Sequence, residues 1–488
     1  MKFLRVLCVV ALVFAFTAVA NAETQSVNVS GDIALRAFAR DNYDLKSRDK
    51  DLGNAGLEQN PDWASFLQST AEVQIDADLT DNVSGVIRLV NQRVWGDEFY
   101  TSSGAGEPAA VAGVTDTPIR NATNPVNGDA FNVNLDLAYI ELKEFLYAPL
   151  TLKIGRQDLW FGKGFIVGAN MADPSDSIYA KEYTAIRSFD AIRATLDYDP
   201  WTIDAVYAKI SENARRVNDD INLMGLNVGY VFDEYNGEAE AYWWYKQDKN
   251  PGRATTVMTV ATLQPYGGNN DVNTFGLRGS FDPIDDWTVA LEGAFQGGQF
   301  LGIANQNTTR NRSAWALDAA VECRYFQDQY DWRPVLGAEY IFYSGSSGWS
   351  DRDPNTGGEY GGWDRMYRGK FDTAIREYQN WFYRTDKTSS PAFTNQHQFL
   401  LRGSIEPTDD ITFNATYGNF WLAVPFSQNS NTSTYVGQEV DLDLNWDYTE
   451  DVQFGLLAGW FFPGQHFNDN LKSADIAADL VGTVKLSF

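Results

Sequence analysis

Residues 477–488 read A-A-D-L-V-G-T-V-K-L-S-F, from Ala477 to Phe488. Leu480, Gly482, Val484, Leu486 and Phe488 share one parity while Thr483, Lys485 and Ser487 take the other, so a strand here carries one apolar and one polar face. An open sheet edge that finishes on an exposed aromatic is a liability in water. In a bacterial outer-membrane barrel it has a use: the last strand pairs with the first, both edges disappear, and the aromatic anchors at the interface. The stretch predicts an all-β chain, a transmembrane antiparallel up-and-down β-barrel. The final edge strand of a soluble sheet is the competing reading.

At the other end, Lys2 and Arg5 precede an apolar run from Val6 to Val19, and Ala20-Asn21-Ala22 has the small-x-small form of a cleavage site. Residues 1–22 are predicted to be a secretory signal peptide, and 23–488 the barrel. Losing Lys2 and Arg5 makes the formal net charge of −27 two units more negative. No later run of eighteen apolar residues occurs, which excludes ordinary transmembrane helices. Cys8 leaves with the signal, so Cys323 alone remains and neither an internal disulfide nor a cysteine-based metal or haem site can form. High aromatic content (15 Trp, 24 Tyr, 30 Phe) goes with a polar mean hydropathy. A barrel reconciles the two, because only alternate residues meet lipid and aromatic girdles mark both interfaces.

Alternating segments long enough to cross a bilayer recur along the chain. Eighteen are read, at about 27–40, 66–79, 83–97, 131–144, 150–160, 188–198, 201–211, 221–232, 237–247, 272–282, 287–297, 314–325, 333–344, 397–405, 411–420, 435–446, 452–462 and 475–488. Short turns rich in Asp, Asn and Pro, such as Thr80-Asp81-Asn82 and Asp199-Pro200, alternate with long connections, the longest at about 345–396. That asymmetry predicts short periplasmic turns and long extracellular loops.

Two motifs resemble the alginate-export family of outer-membrane porins: L-K-I-G-R-Q-D-L-W-F-G-K-G-F-I at Leu152 to Ile166, and the hairpin from Gly437 to Gly464 with Glu439, Asp441 and Tyr448 before F-F-P-G. The resemblance implies an eighteen-stranded barrel and, for an exporter of a polyanion, a pore lined with Arg and Lys.

Parity sends Arg36, Arg88, Arg193, Arg278, Arg324, Arg402, Lys153 and Lys246 to the lumen. Asp32, Glu72, Asp76, Asp78, Asp136, Glu238, Glu240, Glu292, Asp318, Glu322, Glu439, Asp441 and Asp443 go with them. The acids outnumber the bases, so a lumen of mixed or negative potential is expected. Arg156 is awkward, since parity with Leu152 and Ile154 points it at lipid. Either a bulge at Gly155 re-aims it toward the pore or it sits at the outer rim near Trp160.

The long loop is expected to fold inward as a constriction or to cap the mouth. Its second half is basic and aromatic, with Arg365, Arg368, Arg376 and Trp381 as constriction candidates. Its first half places Asp351, Asp353 and Asn355 at alternate spacing, a set suited to Ca2+ on an extracellular loop. Gly357 falls one place late for an EF-hand, and a solvated glycine-rich loop accounts for the same residues. No other cofactor is implied. The only histidines, His397 and His466, have no nucleophile or acid beside them, which argues against an enzyme.

The expected function is a porin, a channel for passive diffusion of small or linear hydrophilic solutes. A secretion conduit for an exopolysaccharide and a surface scaffold or adhesion barrel with a plugged lumen are the alternatives. Expected partners are outer-membrane lipid and lipopolysaccharide, a hydrophilic solute or polysaccharide, and the barrel-assembly machinery, reached through the strand ending in Phe488. No nucleic acid is expected, and the barrel is read as a monomer.

Overall fold

The computed structural model describes residues 25–43, 45, 63–95, 133–171, 178–212, 220–249, 270–301, 309–346, 359–382, 394–425, 433–471 and 474–488. The signal segment, Asp351, Asp353 and Asn355 lie outside the described residues, as does the side chain of Trp381.

The strands are β1 (Ser26–Asp41), β2 (Trp63–Thr80), β3 (Val83–Val94), β4 (Asn134–Leu142), β5 (Leu150–Gln157) and β6 (Phe189–Tyr198). Then follow β7 (Trp201–Ser211), β8 (Ile221–Phe232), β9 (Gly237–Asp248), β10 (Val272–Ile284), β11 (Trp287–Leu301) and β12 (Thr309–Cys323). The last third holds β13 (Val335–Tyr343), β14 (Gln396–Thr408), β15 (Ile411–Trp421), β16 (Tyr435–Asp447), β17 (Val452–Pro463) and β18 (Ala477–Ser487). Each pairs antiparallel with its sequence neighbour, and β1 pairs with both β2 and β18, closing one 18-stranded sheet. The predicted strands correspond one to one.

Alternation fixes which face is which. Leu277 is 68% exposed and Leu291 54%, and Leu135, Ile154, Ile192, Leu226, Leu442 and Leu456 share their outward face. In water this apolar girdle would be untenable; against lipid it is solvated. Near the short turns it ends in exposed rings including Tyr198, Trp201, Tyr235, Trp287, Trp332, Trp446 and Tyr448, the amphipathic belt of a membrane interface. Inside, Asp441 is buried while Leu442 is 48% exposed, the orientation that the alternation predicted for this strand.

Register shifts occur near the ends of several strands, but one lies well inside the lumen wall. Between β3 and β4 the register slips, Arg88 facing Leu137 and Leu89 facing Leu135, so Asp136 is the extra residue of a bulge. Leu137 shares the sequence parity of the outward-facing Leu135, yet it is buried. Tyr139 turns inward too, where its ring lies 4.5 Å beneath the Lys153 ammonium.

The seam depends on one glycine. The N–H of Gly31 donates to the Phe488 carbonyl (2.9 Å) and the Phe488 N–H donates to that of Gly31 (3.0 Å). A Cβ on Gly31 would sit 2.4 Å from the Glu72 carbonyl oxygen and 2.7 Å from the Phe488 ring. Gly31→Val is therefore expected to strain closure by about 1–3 kcal/mol, seen as a lower urea midpoint for the refolded barrel in detergent. An unchanged midpoint would show that the terminal residue does not hold the seam.

Candidate functional site

Two connections from the loop end fold back into the barrel and occupy much of its lumen. The first runs from Asp158 to Ser188, the second from Glu359 to Phe382 and closes with the helix α1 (Ile375–Phe382). Their apolar residues form the main buried cluster. Leu159, Phe161, Phe165, Ile166 and Val167 come from the first, Trp363, Met366 and Ile375 from the second, and Trp244, Tyr343, Leu400, Phe420 and Phe461 from the inner wall. Phe161 packs on Trp244 with ring centroids 4.7 Å apart, and Phe165 stacks on Tyr343 at 5.6 Å. Backbone bonds join the two connections into a short parallel rib. Gly168 and Ala169 donate to the Tyr367 carbonyl (2.8 and 3.0 Å), Tyr367 to that of Ile166 (2.9 Å), and Gly369 to that of Gly164 (2.9 Å). A Cβ on Gly168 would lie 3.0 Å from the Gly369 Cα, so the approach needs glycine on both sides.

The rib is pinned to the wall by charge. Arg88, Arg193, Arg278 and Arg402 each lie five to six residues in from the short-turn end of their strand (Val83 to Arg88, Arg193 to Tyr198, Arg278 to Ile284, Arg402 to Thr408). At the usual rise and tilt this is near mid-height of an apolar band about 25 Å tall, and strands β3, β6, β10 and β14 spread them around the bore. Each bonds a carboxylate. Arg88 Nε donates to Asp136 (2.8 Å), Arg193 Nε to Asp204 (2.7 Å), Arg278 to Glu238 and Glu240, and Arg402 to Glu339 and, at 2.9 Å, to Asp372. Lys153 pairs with Glu141 at 3.2 Å.

The second connection supplies its own ions. Lys370 reaches Glu339 and, at 3.2 Å, Asp318. Arg368 is fully buried and holds Asp372 and Glu377, the latter at 2.9 Å. Lys246 meets Asp364 at 2.5 Å, with Arg312 3.8 Å away. Burial alone would push the Asp364 carboxyl up, but these two cations outweigh it and hold it well below the usual carboxylate range. Glu439 accepts from the N–H groups of Ile375 (2.6 Å) and Arg376 (2.9 Å), and Asp441 from that of Ala374 (3.1 Å). The two carboxylates thus satisfy the free donors at the start of α1. Glu292 accepts from the Tyr242 hydroxyl at 2.7 Å. Arg376 is buried and donates to Gln396 (2.9 Å), and Arg365 is half-buried in the same segment.

Parity therefore placed these acids on the correct face, and the fold gives most of them a partner. Glu439 and Asp441 are helix caps, while Asp136, Asp318 and Glu339 are counter-ions. Asp76 and Asp443 remain toward the short-turn end, bonded to Gln74 (3.0 Å) and to Asn445 (2.5 Å). Among the described residues, Arg36, Arg187 and Lys163 make no salt bridge. Arg36 lies 4.8 Å over the Tyr183 ring. Arg187 donates only to the Thr184 and Glu182 carbonyls (2.9 and 3.1 Å). Burial lowers the Arg187 guanidinium from its ordinary value and the neighbouring Arg36 adds to the effect.

Three expectations are corrected. Arg156 does not line the pore: it stands opposite Asp190, paired at 3.4 Å, in the outward file of Ile154 and Ile192 at the loop end. Gly155 takes φ +127° without shifting the register, so no bulge re-aims the side chain. Arg324 lies beyond the end of β12 on the short-turn side, 45% exposed and paired with Glu322 at 2.6 Å. Trp160 was expected to mark the outer rim. It instead lies inside, between the two connections, where a Cβ on Gly164 or Gly369 would come within 2.6 and 2.8 Å of its ring. The inward turn of 158–188 had one legible signal, the paired glycines of W-F-G-K-G, where Gly162 and Gly164 adopt φ +53° and +72°.

A closed antiparallel cylinder with an apolar belt outside, a polar ring within and two loops folded into its bore defines an outer-membrane β-barrel. The Alginate export family model matches residues 62–476, and the chain belongs to that family. No curated protein matches it. Among solved structures it is similar to OpdO of Pseudomonas aeruginosa and OccAB1 of Acinetobacter baumannii, each at 10% identity and TM-score 0.54, covering 96% of this chain and 98% of theirs. It is also similar to the outer membrane protein OpdK of Pseudomonas aeruginosa, at 10% identity and TM-score 0.50, covering 94% of this chain and 99% of that one. At such identity the likeness is one of fold.

Proposed function

We propose that the protein is a monomeric channel for passive diffusion of small or linear hydrophilic solutes, and that its narrow part prefers anions. The observation that carries this is the division of lumen charge: most carboxylates at mid-height are held by internal cations or helix N–H groups, and Glu292 by the Tyr242 hydroxyl, while Arg36, Arg187 and Lys163 make no salt bridge among the described residues. A fixed positive excess in a narrow, low-dielectric bore concentrates anions and repels cations, and no covalent chemistry is needed. Reversal potentials across a planar bilayer in a KCl gradient test it. Chloride preference is expected in the wild type, and Arg36→Glu with Arg187→Glu is expected to shift the permeability ratio severalfold toward potassium. A wild type that already prefers potassium would overturn the assignment, and a silent barrel would favour a plugged surface scaffold.

The family match favours a second reading, a secretion conduit for an exopolysaccharide. A polymer threading the bore needs the rib to move aside, so conduction of a polyanion only after the rib is freed would select that reading. The final strand, with Phe488 58% exposed, suits delivery to the assembly machinery, and the outer face suits lipid and lipopolysaccharide.

A further inference from the structure

Trp160 is 48% exposed although it lies in the interior of the barrel, where Phe161, Phe165, Tyr343 and Phe420 are all buried. Its placement is built. The indole N–H donates to the Gly162 carbonyl at 2.9 Å, which fixes the ring plane, and the benzo edge rests on Gly164 and Gly369, one from each inward connection. Any side chain at either glycine would collide with the ring, so the sequence leaves this bed clear. The chain neighbours of those glycines are Lys163 and Lys370. Both lysines line a cavity of about 390 Å³ along the inner wall, together with Arg402, Ser404, Asn414 and Thr416. A rigid aromatic face thus adjoins a polar recess in which Glu322 and Glu339 stand beside the three bases; Lys370 and Arg402 pair with Glu339, and Lys163 makes no salt bridge among the described residues.

Resting on the channel reading above, we propose that Trp160 is a specificity-determining residue, a platform on which a solute with a flat, apolar ring face stacks while its anionic group turns to the recess at Lys163. The class is ring-bearing monoanions, whether the ring is a pyranose or an aromatic one. An open-chain anion of equal charge and size gains the attraction of the bases and has no rigid face for the indole. The indole loses little entropy on contact because its plane is already held. Linear solutes therefore pass with less retention.

The test is single-channel recording in bilayers with matched probes, glucuronate as the closed ring and gluconate as its open-chain counterpart. Glucuronate is expected to interrupt the chloride current with a residence time about fivefold longer than gluconate, the scale of one aromatic stacking contact. Benzoate separates the sources: retention equal to that of glucuronate assigns any flat ring, and weaker retention assigns the pyranose. Trp160→Ala should equalise glucuronate and gluconate while gluconate residence stays unchanged, and Trp160→Phe should keep most of the difference. Because the barrel wall closes without Trp160, the KCl conductance of each variant reports whether the rib is still in place. Equal residence of glucuronate and gluconate in a conducting wild type overturns the platform and leaves the channel reading standing. Loss of the difference in Trp160→Phe as well assigns Trp160 to packing alone and overturns it too. A wild type that does not conduct overturns both.

Discussion

Arg40→Ala is expected to raise single-channel conductance severalfold while leaving the barrel folded. Arg40 is 5% exposed and joins four separate parts of the chain. It bonds Glu182 of the first connection, lies 3.6 Å from Asp479 of β18, and places its guanidinium 4.8 Å from the Tyr43 ring and 4.7 Å from that of Tyr378 in α1. Phe38 completes the cage at 4.9 Å. Removing the cation leaves Glu182 and Asp479 buried without it, a loss of about 3–5 kcal/mol when one partner of a buried pair is deleted. The barrel wall has a full antiparallel ladder to resist that loss, whereas the two connections are held to it by side-chain packing, ion pairs and the short rib. The strain is therefore relieved by release of the rib. Arg40→Lys should give an intermediate value, because an ammonium keeps the charge and loses the planar stacking on Tyr43 and Tyr378. Conductance and protease nicking within 158–188 read the outcome together. Unchanged conductance with the expected nicking would mean that the rib does not limit flow.

The difference between wall and bore explains how much was legible in advance. The wall obeys a rule of period two, imposed by lipid on one side and water on the other, and 201–211 and 221–232 could be bounded to the residue from that rule and the Asp-Pro and Asp-Glu turns beside them. The bulge at Asp136 broke the rule without a local mark, because its extra residue is a carboxylate held by Arg88 and Ser188 from strands and loops distant in sequence. Inside the bore no period operates. Whether Glu439 faces solvent or caps a helix depends on where a loop sixty residues earlier comes to rest, and only the fold shows that the Ile375 N–H ends 2.6 Å from it. Arg156 shows the limit from the other side. Its outward parity was correct, and of the two readings, a bulge at Gly155 or a place at the outer rim, the rim holds because Asp190 pairs with it there.

Lys370→Met is expected to turn the ion preference of the pore as well as weaken the rib. Lys370 is the shared cation of Asp318, Glu339 and Asp372, the last at 3.1 Å. Burial alone would lower the ammonium, but those three carboxylates, Asp372 first, hold it well above its ordinary value, so it stays charged through the working pH range. Methionine keeps the length and volume of the side chain and removes the charge. Arg402 still serves Glu339 and Asp372, and Arg368 still serves Asp372, which leaves Asp318 with no cation. The recess beside Trp160 then loses one of its three bases and an acid in the adjoining wall loses its cation, so the permeability ratio should move toward potassium. Asp318 is buried, and a buried carboxylate without its cation takes up a proton well above the ordinary carboxylate range, so the change should be largest at alkaline pH and fade as pH falls, whereas the wild type keeps its chloride preference. Adding Asp318→Asn to Lys370→Met removes the unpaired charge and keeps an isosteric hydrogen-bonding group. If the ion pair is the origin of the effect, the double variant recovers much of the wild-type selectivity at alkaline pH, with a coupling between the two changes that independent sites would not show. Additive shifts would place Lys370 in the recess as a lone charge with no bond to the wall.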